Sequence, residues 1–410
     1  MRDTPRFPRP GSAVSGVRSS RWQGRLGWLV AVTVVAGAAG PAFAGNVPPG
    51  GPVTVSENGC GSPPEQMPAG PVSFTVTNTV STNAFASVYL IGLADGLVYA
   101  EIPTLAPHKK LPLASTLAAG KYALRCVFTD AAVQTSPPIT VTGTTTGAVT
   151  GYPALPDLDM QGPMQAYRAY VQAALPTLRK DCATLDADVA AGNLAAAKTD
   201  WLTAHLDYER LGVAYTSFGD FDDELNGMAQ GEPDGVKSTD WTGFFAIEYG
   251  LWHNDTPAQL RPQTQGLVTA VDSLIQDFPS EEVDPGDLPL RAHEILENSL
   301  QFQLTGIADY GSGTTLATAY ANAQGTAEVL SVLSPLIKPR YPALLTAADQ
   351  ELATLQQDLL AQRTQTGGAT TWKPLDSLTT AQRQRLDADL GALLEQLSNV
   401  PDLLAPRDSA

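Results

Sequence analysis

The chain has 410 residues, of which 43% are apolar and 16% charged, and its formal net charge is −17. That length supports two or three domains with cores of their own. So acidic a protein repels nucleic acid and anionic lipid and concentrates cations, which excludes the polyanion-binding classes.

Residues 1–44 hold six arginines and one aspartate, so the rest of the chain carries −22. Arg18, Arg21 and Arg25 precede an apolar run from Leu26 to Ala39, and Ala42-Phe43-Ala44 supplies the small residues of a cleavage site. The pattern predicts a signal peptide over 1–44, cleaved near Ala44, and a mature protein in the periplasm or cell envelope. Glycines and Pro41 interrupt the run, which falls short of the ~20 apolar residues of a spanning helix. No later stretch has that length. Three cysteines suit an exported protein with one disulfide. Cys60 and Cys126, both in the first predicted domain, either pair or share a metal site. Cys182 reads as a buried, inert thiol.

From Val53 to Gly143 the pattern is strand-like. In PVSFTVTNTV, Val72, Phe74 and Val76 alternate with Ser73, Thr75 and Thr77, a period of two. FASVYLIG, GLVYAEIP, KYALRCVFTD and PPITVTG repeat the theme between Gly, Asn, Asp and Pro. About seven short strands predict a Greek-key β-sandwich over 45–143, of immunoglobulin-like or cupredoxin-like type. Residues 144–157, rich in Thr, Gly and Pro, read as a linker.

Residues 158–410 read as an all-α bundle. A first helix runs from Met160 to Gly192-Asn193, and a second, LAAAKTDWLTAHLDYERLGVAYTSFG, runs to Gly219. A short third covers DWTGFFAIEYGLWH, a fourth spans Leu260–Phe278, and a fifth, LPLRAHEILENSLQFQLTG, stops at Gly306. Two or three more lie between Thr315 and Leu404, broken around Pro335, Pro339, Pro342 and a loop at 366–375.

Candidate chemistry gathers between Trp201 and His253. His205 and Glu209 stand four apart and so share a helix face, as do His293 and Glu297, with Glu294 beside them. Glu248 sits in FFAIEYGLW, where a lone carboxylate is costly unless paired or bound to a cation. Asp309 follows a glycine stop in TGIADYGSGT. Bundle cores that hold iron or manganese use such helix-borne carboxylates and histidines. Taken singly, each pair is also an ordinary structural contact.

Other chemistries fail on spacing. A zinc protease needs His-Glu-x-x-His, whereas the run here is His293-Glu294-Ile295-Leu296-Glu297. A serine nucleophile elbow is missing, and Gly311-Ser312-Gly313 reads as a turn. A blue-copper centre needs two histidines and a cysteine, but the β domain has only His108. Glu101, Cys60 and Cys126 remain candidate ligands for another kind of site, the alternative being a plain disulfide.

AHLDYERLGVAYTSFGDFDDELNG, TGFFAIEYGLWH, LRAHEILENSLQFQLTG and ADYGSGTTLATAYAN, with the strands GPVSFTVTNT and GKYALRC, resemble the EfeO family of extracytoplasmic iron-uptake components. The resemblance covers nearly the whole mature chain. It implies a cupredoxin-like domain over 45–143 and an imelysin-like bundle over 158–410. It implies that the bundle captures ferrous or ferric iron and presents it to a membrane permease, as in EfeUOB-type systems. A haem peroxidase partner and copper or iron in the β domain are implied as well. No catalysis, nucleic-acid partner or membrane span is expected. The implied metal ligands are Glu209, Glu248 and Asp309; by their own chemistry His205 and His293 would join them as ligands or, the favoured role, orient them from behind. The family's Gly-Phe-His-x-Ile-Glu motif reads Gly243-Phe244-Phe245-Ala246-Ile247-Glu248 here, so the histidine position holds Phe245. A neutral Asn226 stands where the family often has an acid, and Ala106-Pro107-His108-Lys109-Lys110 replaces a Gly-Pro-Gly turn. Phe245 and Asn226, two departures in one implied site, predict a weakened metal site. The rival expectations are a binding or adhesion module that has lost its metal, and a peptidase.

Overall fold

A computed structural model describes residues 49–80, 84–128, 132–155, 157–212, 218–280, 286–366 and 369–404. The expected signal peptide lies outside them.

The alternating pattern yields two sheets. One orders β1 (Pro49–Val55), β3 (Gly70–Asn78) and β6 (Lys110–Leu117), with β1 parallel to β3. The other runs β2 (Gln66–Pro68), β9 (Ile139–Thr142), β7 (Gly120–Phe128), β4 (Ala86–Gly92) and β5 (Val98–Leu105), with β8 (Gln134–Thr135) on β7. Val72, Phe74 and Val76 of β3 point inward, as the period of two requires, and share a core with Val88, Leu90, Leu124 and Cys126. Cys60 and Cys126 are disulfide-bonded, with 5.5 Å between their Cα atoms. The Thr/Gly/Pro segment is tied to the sandwich: Tyr152 exchanges backbone hydrogen bonds with Val98, and Val149 N–H donates to Thr116 O.

The helical half holds one large core. α1 (Asp157–Ala191) buries Met160, Tyr167, Val171, Leu175, Leu178, Cys182, Leu185 and Val189, a stripe at three- and four-residue spacing that faces α2 (Leu194–Glu209) and α5 (Pro257–Asp277). Burial pushes the Cys182 thiol up to about 12, so it stays protonated and inert. After α2 come the short α3 (Asp220–Asn226) and α4 (Gly243–Trp252), then α6 (Asp287–Asn298), α7 (Thr315–Arg340), α8 (Pro342–Leu360), α9 (Thr380–Leu397) and α10 (Asn399–Leu404).

Three expectations about boundaries need correcting. The second helix ends at Glu209 rather than Gly219, because the turn at Gly212 (φ 77°) presses on α7: a Cβ on Gly325 would lie 3.1 Å from Gly212 Cα. α7 continues through Pro335 and Pro339, carried by buried Leu333 and Ile337 on either side of Pro335. The expected loop at 366–375 is partly a hairpin of β10 (Arg363–Thr366) and β11 (Ala369–Trp372). Among the described residues no helix is long and apolar enough to cross a membrane.

Candidate metal centre

Gly243 sets the geometry. It starts α4 at φ 86°, and a Cβ there would fall 2.3 Å from Leu225 O. Only glycine allows the start of α4 to lie against the end of α3. That packing brings Glu248 of α4 and Asn226 of α3 toward the end of α2, where His205 and Glu209 project.

Glu209 is 3% exposed, and its Oε1 accepts a 2.9 Å hydrogen bond from Asn226 Nδ2. His205 Nε2 lies 3.0 Å from the same oxygen but is poorly aligned with it, so neither ring nitrogen has a directed hydrogen-bond partner. An aromatic cage holds the imidazole: Trp201 stacks on it at 5.0 Å, Phe244 lies at 5.2 Å and Phe245 at 5.3 Å between ring centres. Trp201 is itself fixed by its Nε1–H donating to Phe244 O at 2.8 Å.

Glu248 is 1% exposed. Its Oε1 accepts from the N–H groups of Tyr310 at 3.1 Å and Ser312 at 3.0 Å, while Oε2 is buried without a partner. Burial pushes this carboxyl up to about 7; hydrogen bonding from Ser312 and the nearby His205 pull it down, and Asp309 pushes it up. Asp309 is half-buried, and its Oδ1 accepts from the N–H groups of Gly311 at 2.9 Å and Gly313 at 3.1 Å. It thereby shapes the loop that holds Glu248. The loop borders a cleft of about 500 Å³ that Asp309, Ser312, Asp376 and Arg383 help to line. Tyr310 of the same loop is buried, its hydroxyl accepting from Ala229 N–H at 3.0 Å and donating to Gln230 Oε1 at 2.6 Å.

The predicted residues therefore fall into two groups. His205, Glu209 and Asn226 touch directly. Glu248 and Asp309 share the 309–313 loop, and His205 is the group near enough to both sets to couple them electrostatically. Among the described residues, no three His, Cys, Asp or Glu side chains stand close enough to share one metal ion. His293 is not in either group: half-buried on α6, its Nδ1 lies 3.4 Å from Glu297 Oε2. In the β half, Cys60 and Cys126 are bonded to each other, which leaves no thiolate for a metal. Glu101 pairs with Tyr89 while Cys126 pairs with Val88, and successive residues of β4 point to opposite faces, so Glu101 and Cys126 occupy opposite faces of the sheet. The expected copper ligands are thus not assembled.

The backbone donors of Tyr310 and Ser312, and the cage of Trp201 and Phe244, were not legible as site components. Every residue but proline carries an N–H, and aromatics in a helix read first as core.

What remains is a buried pair of carboxylates flanking an imidazole, with unpartnered Glu248 Oε2, Asn226 Oδ1 and both His205 nitrogens. Hard oxygen and imidazole donors of this kind suit a divalent or trivalent cation such as iron. The chain is thus a β part followed by a helical part, and the helical part holds the candidate centre. Residues 163–282 match the family model described as imelysin, whose short name is Peptidase M75. The chain is 26% identical over 354 residues to the iron uptake system component EfeO of Escherichia coli K12, covering 86% of this chain and 90% of that one. The EfeO of Shigella flexneri and that of Escherichia coli O157:H7 match equally at 26%. The chain is therefore EfeO-like, and the imelysin match falls within its helical half.

Proposed function

We propose that this protein is an extracytoplasmic iron carrier. The helical half takes up ferrous or ferric iron between Glu248 and the His205–Glu209–Asn226 group and passes it to a membrane permease, as part of an EfeUOB-type system that includes a haem peroxidase. It is a carrier rather than an enzyme, in keeping with the names of its relatives. The 45–143 part is a cupredoxin-like accessory domain. The observation that carries this reading is the set of buried, unpartnered donor atoms around His205 and Glu248. In a metal-free role each would cost about 1–3 kcal/mol with no return. Iron ligation would require the Glu248 and Glu209 side chains to turn toward one another, with Asp309 free to follow from its loop.

Phe245 favours a second reading. It is 3% exposed, and its ring lies 5.3 Å from both His205 and Tyr310, where a family histidine would add a ligand. On that reading the bundle has lost its metal and serves as a binding module. Calorimetric titration of the full chain with Fe²⁺ under argon, and with Zn²⁺, separates the two. A carrier binds both, and Phe245→His tightens binding at least about tenfold. Heat from Phe245→His and none from the wild type would establish the second reading and overturn the first.

A further inference from the structure

α7 carries a polar stripe inside the bundle. Thr315, Thr318, Asn322 and Thr326 recur at three- and four-residue intervals and so share one helix face, and all four are buried, Thr326 completely. The end of α6 packs against α7, and there the helix widens into a π-turn over Ser299–Gln303, with Leu304 N–H reaching Ser299 O at 2.9 Å. Such turns are rare and concentrate at functional places. Across the seam, Asn322 Nδ2 donates to Ser299 Oγ at 3.1 Å.

Four other polar atoms of the seam are unmatched. Thr315 Oγ1, Asn322 Oδ1, Thr326 Oγ1 and Gln303 Oε1 are buried without a hydrogen-bond partner, and their residues are at most 5% exposed. A threonine inside a helix ordinarily turns its hydroxyl onto the carbonyl four residues back, which Thr326 does not do. Two of these oxygens belong to side-chain amides and only accept, so whatever satisfies them must donate. That excludes an apolar molecule and an anion. A cation would meet neutral oxygens with no carboxylate to offset its lost hydration. Water donates and accepts, and fits narrow polar seams between helices. Exchanging the O and N of either amide would leave a buried donor instead, which water satisfies equally.

We propose that the α6–α7 seam is an internal hydration site, a file of bound water reaching from Thr315 past Gln303 and Asn322 to Thr326. Eleven residues at 1.5 Å each make it about 16 Å long. It starts three residues from Ser312, whose N–H holds Glu248. If the iron-carrier reading holds, on which this last step rests, the file receives water that an incoming cation sheds.

The test needs no metal, so its failure would leave the iron reading untouched. Full-length protein with labelled threonine methyls and side-chain amides is probed for nuclear Overhauser transfer from water. Long-lived water at the Thr326 methyl and the Asn322 amide is expected. Its absence overturns the proposal. Stability gives an independent sign. With the file present, Thr326→Val and Thr315→Val leave Tm unchanged or lower it, since a water loses its partner. In a dry seam the same changes remove a buried orphan, and a rise of several degrees in both would overturn the proposal.

Discussion

Glu248→Gln removes a charge and keeps the shape. The glutamine Oε1 can still accept from Tyr310 and Ser312, and its amide nitrogen takes the place of the unpartnered Oε2. In the wild type, burial lifts the carboxyl from 4.5 to about 7. At 1.36 kcal/mol per pKa unit, keeping it ionised in the folded state costs about 3 kcal/mol. With the side chain 1% exposed, solvent screening does not reduce this much. The sign follows from linkage. Below about pH 4.5 the group is protonated both folded and unfolded, and the penalty vanishes. Between about 4.5 and 7 the unfolded chain releases the proton while the folded one keeps it, so stability falls as pH rises. Above about 7 the penalty is complete. In metal-free protein with a chelator present, Glu248→Gln should therefore match the wild type near pH 4 and exceed it at pH 8. The gain should be roughly 6–12 °C in Tm at 2–4 °C per kcal/mol. Circular-dichroism melts from pH 4 to pH 8.5 measure it. A variant less stable than wild type at pH 8, or a difference that does not change with pH, would refute the reasoning.

Three further outcomes are expected. Gly243→Ala forces a Cβ to within 2.3 Å of Leu225 O at φ 86° and should destabilise by more than about 2 kcal/mol, visible as a lowered urea midpoint. Joint Cys60→Ser and Cys126→Ser replacement opens a loop spanning 66 residues, and loop entropy puts the loss at up to about 4 kcal/mol, read as a lowered melting temperature for the β half with the helical half unchanged. Saturating Fe²⁺ at 100 times its Kd should stabilise the wild type by about 2.7 kcal/mol, and Glu248→Gln much less, in differential scanning fluorimetry under argon. Equal stabilisation of both would remove Glu248 from the ligand set.

Much of the fold was legible from local pattern. The inward Val72, Phe74 and Val76 follow from the period of two, and the buried face of α1 from spacing at 3.6. Glu248 stood out because a lone carboxylate in FFAIEYGLW needs a reason. Such signals lie within one turn or one strand, where neighbouring side chains alone set the periodicity.

The remainder depended on residues far apart in the chain. Cys60 and Cys126 were consistent with a disulfide or a metal until chain folding brought their Cα atoms to 5.5 Å. The end of α2 was placed ten residues late, since the close approach of Gly212 and Gly325 joins positions over a hundred residues apart. Glu248 finds its donors on Tyr310 and Ser312, more than sixty residues away, and His293 with the same helical spacing to a glutamate as His205 ends up outside the centre. Backbone N–H groups are chemically alike at every residue but proline, so no pattern of side chains marks which ones will meet a buried carboxylate. Three-dimensional packing alone selects them.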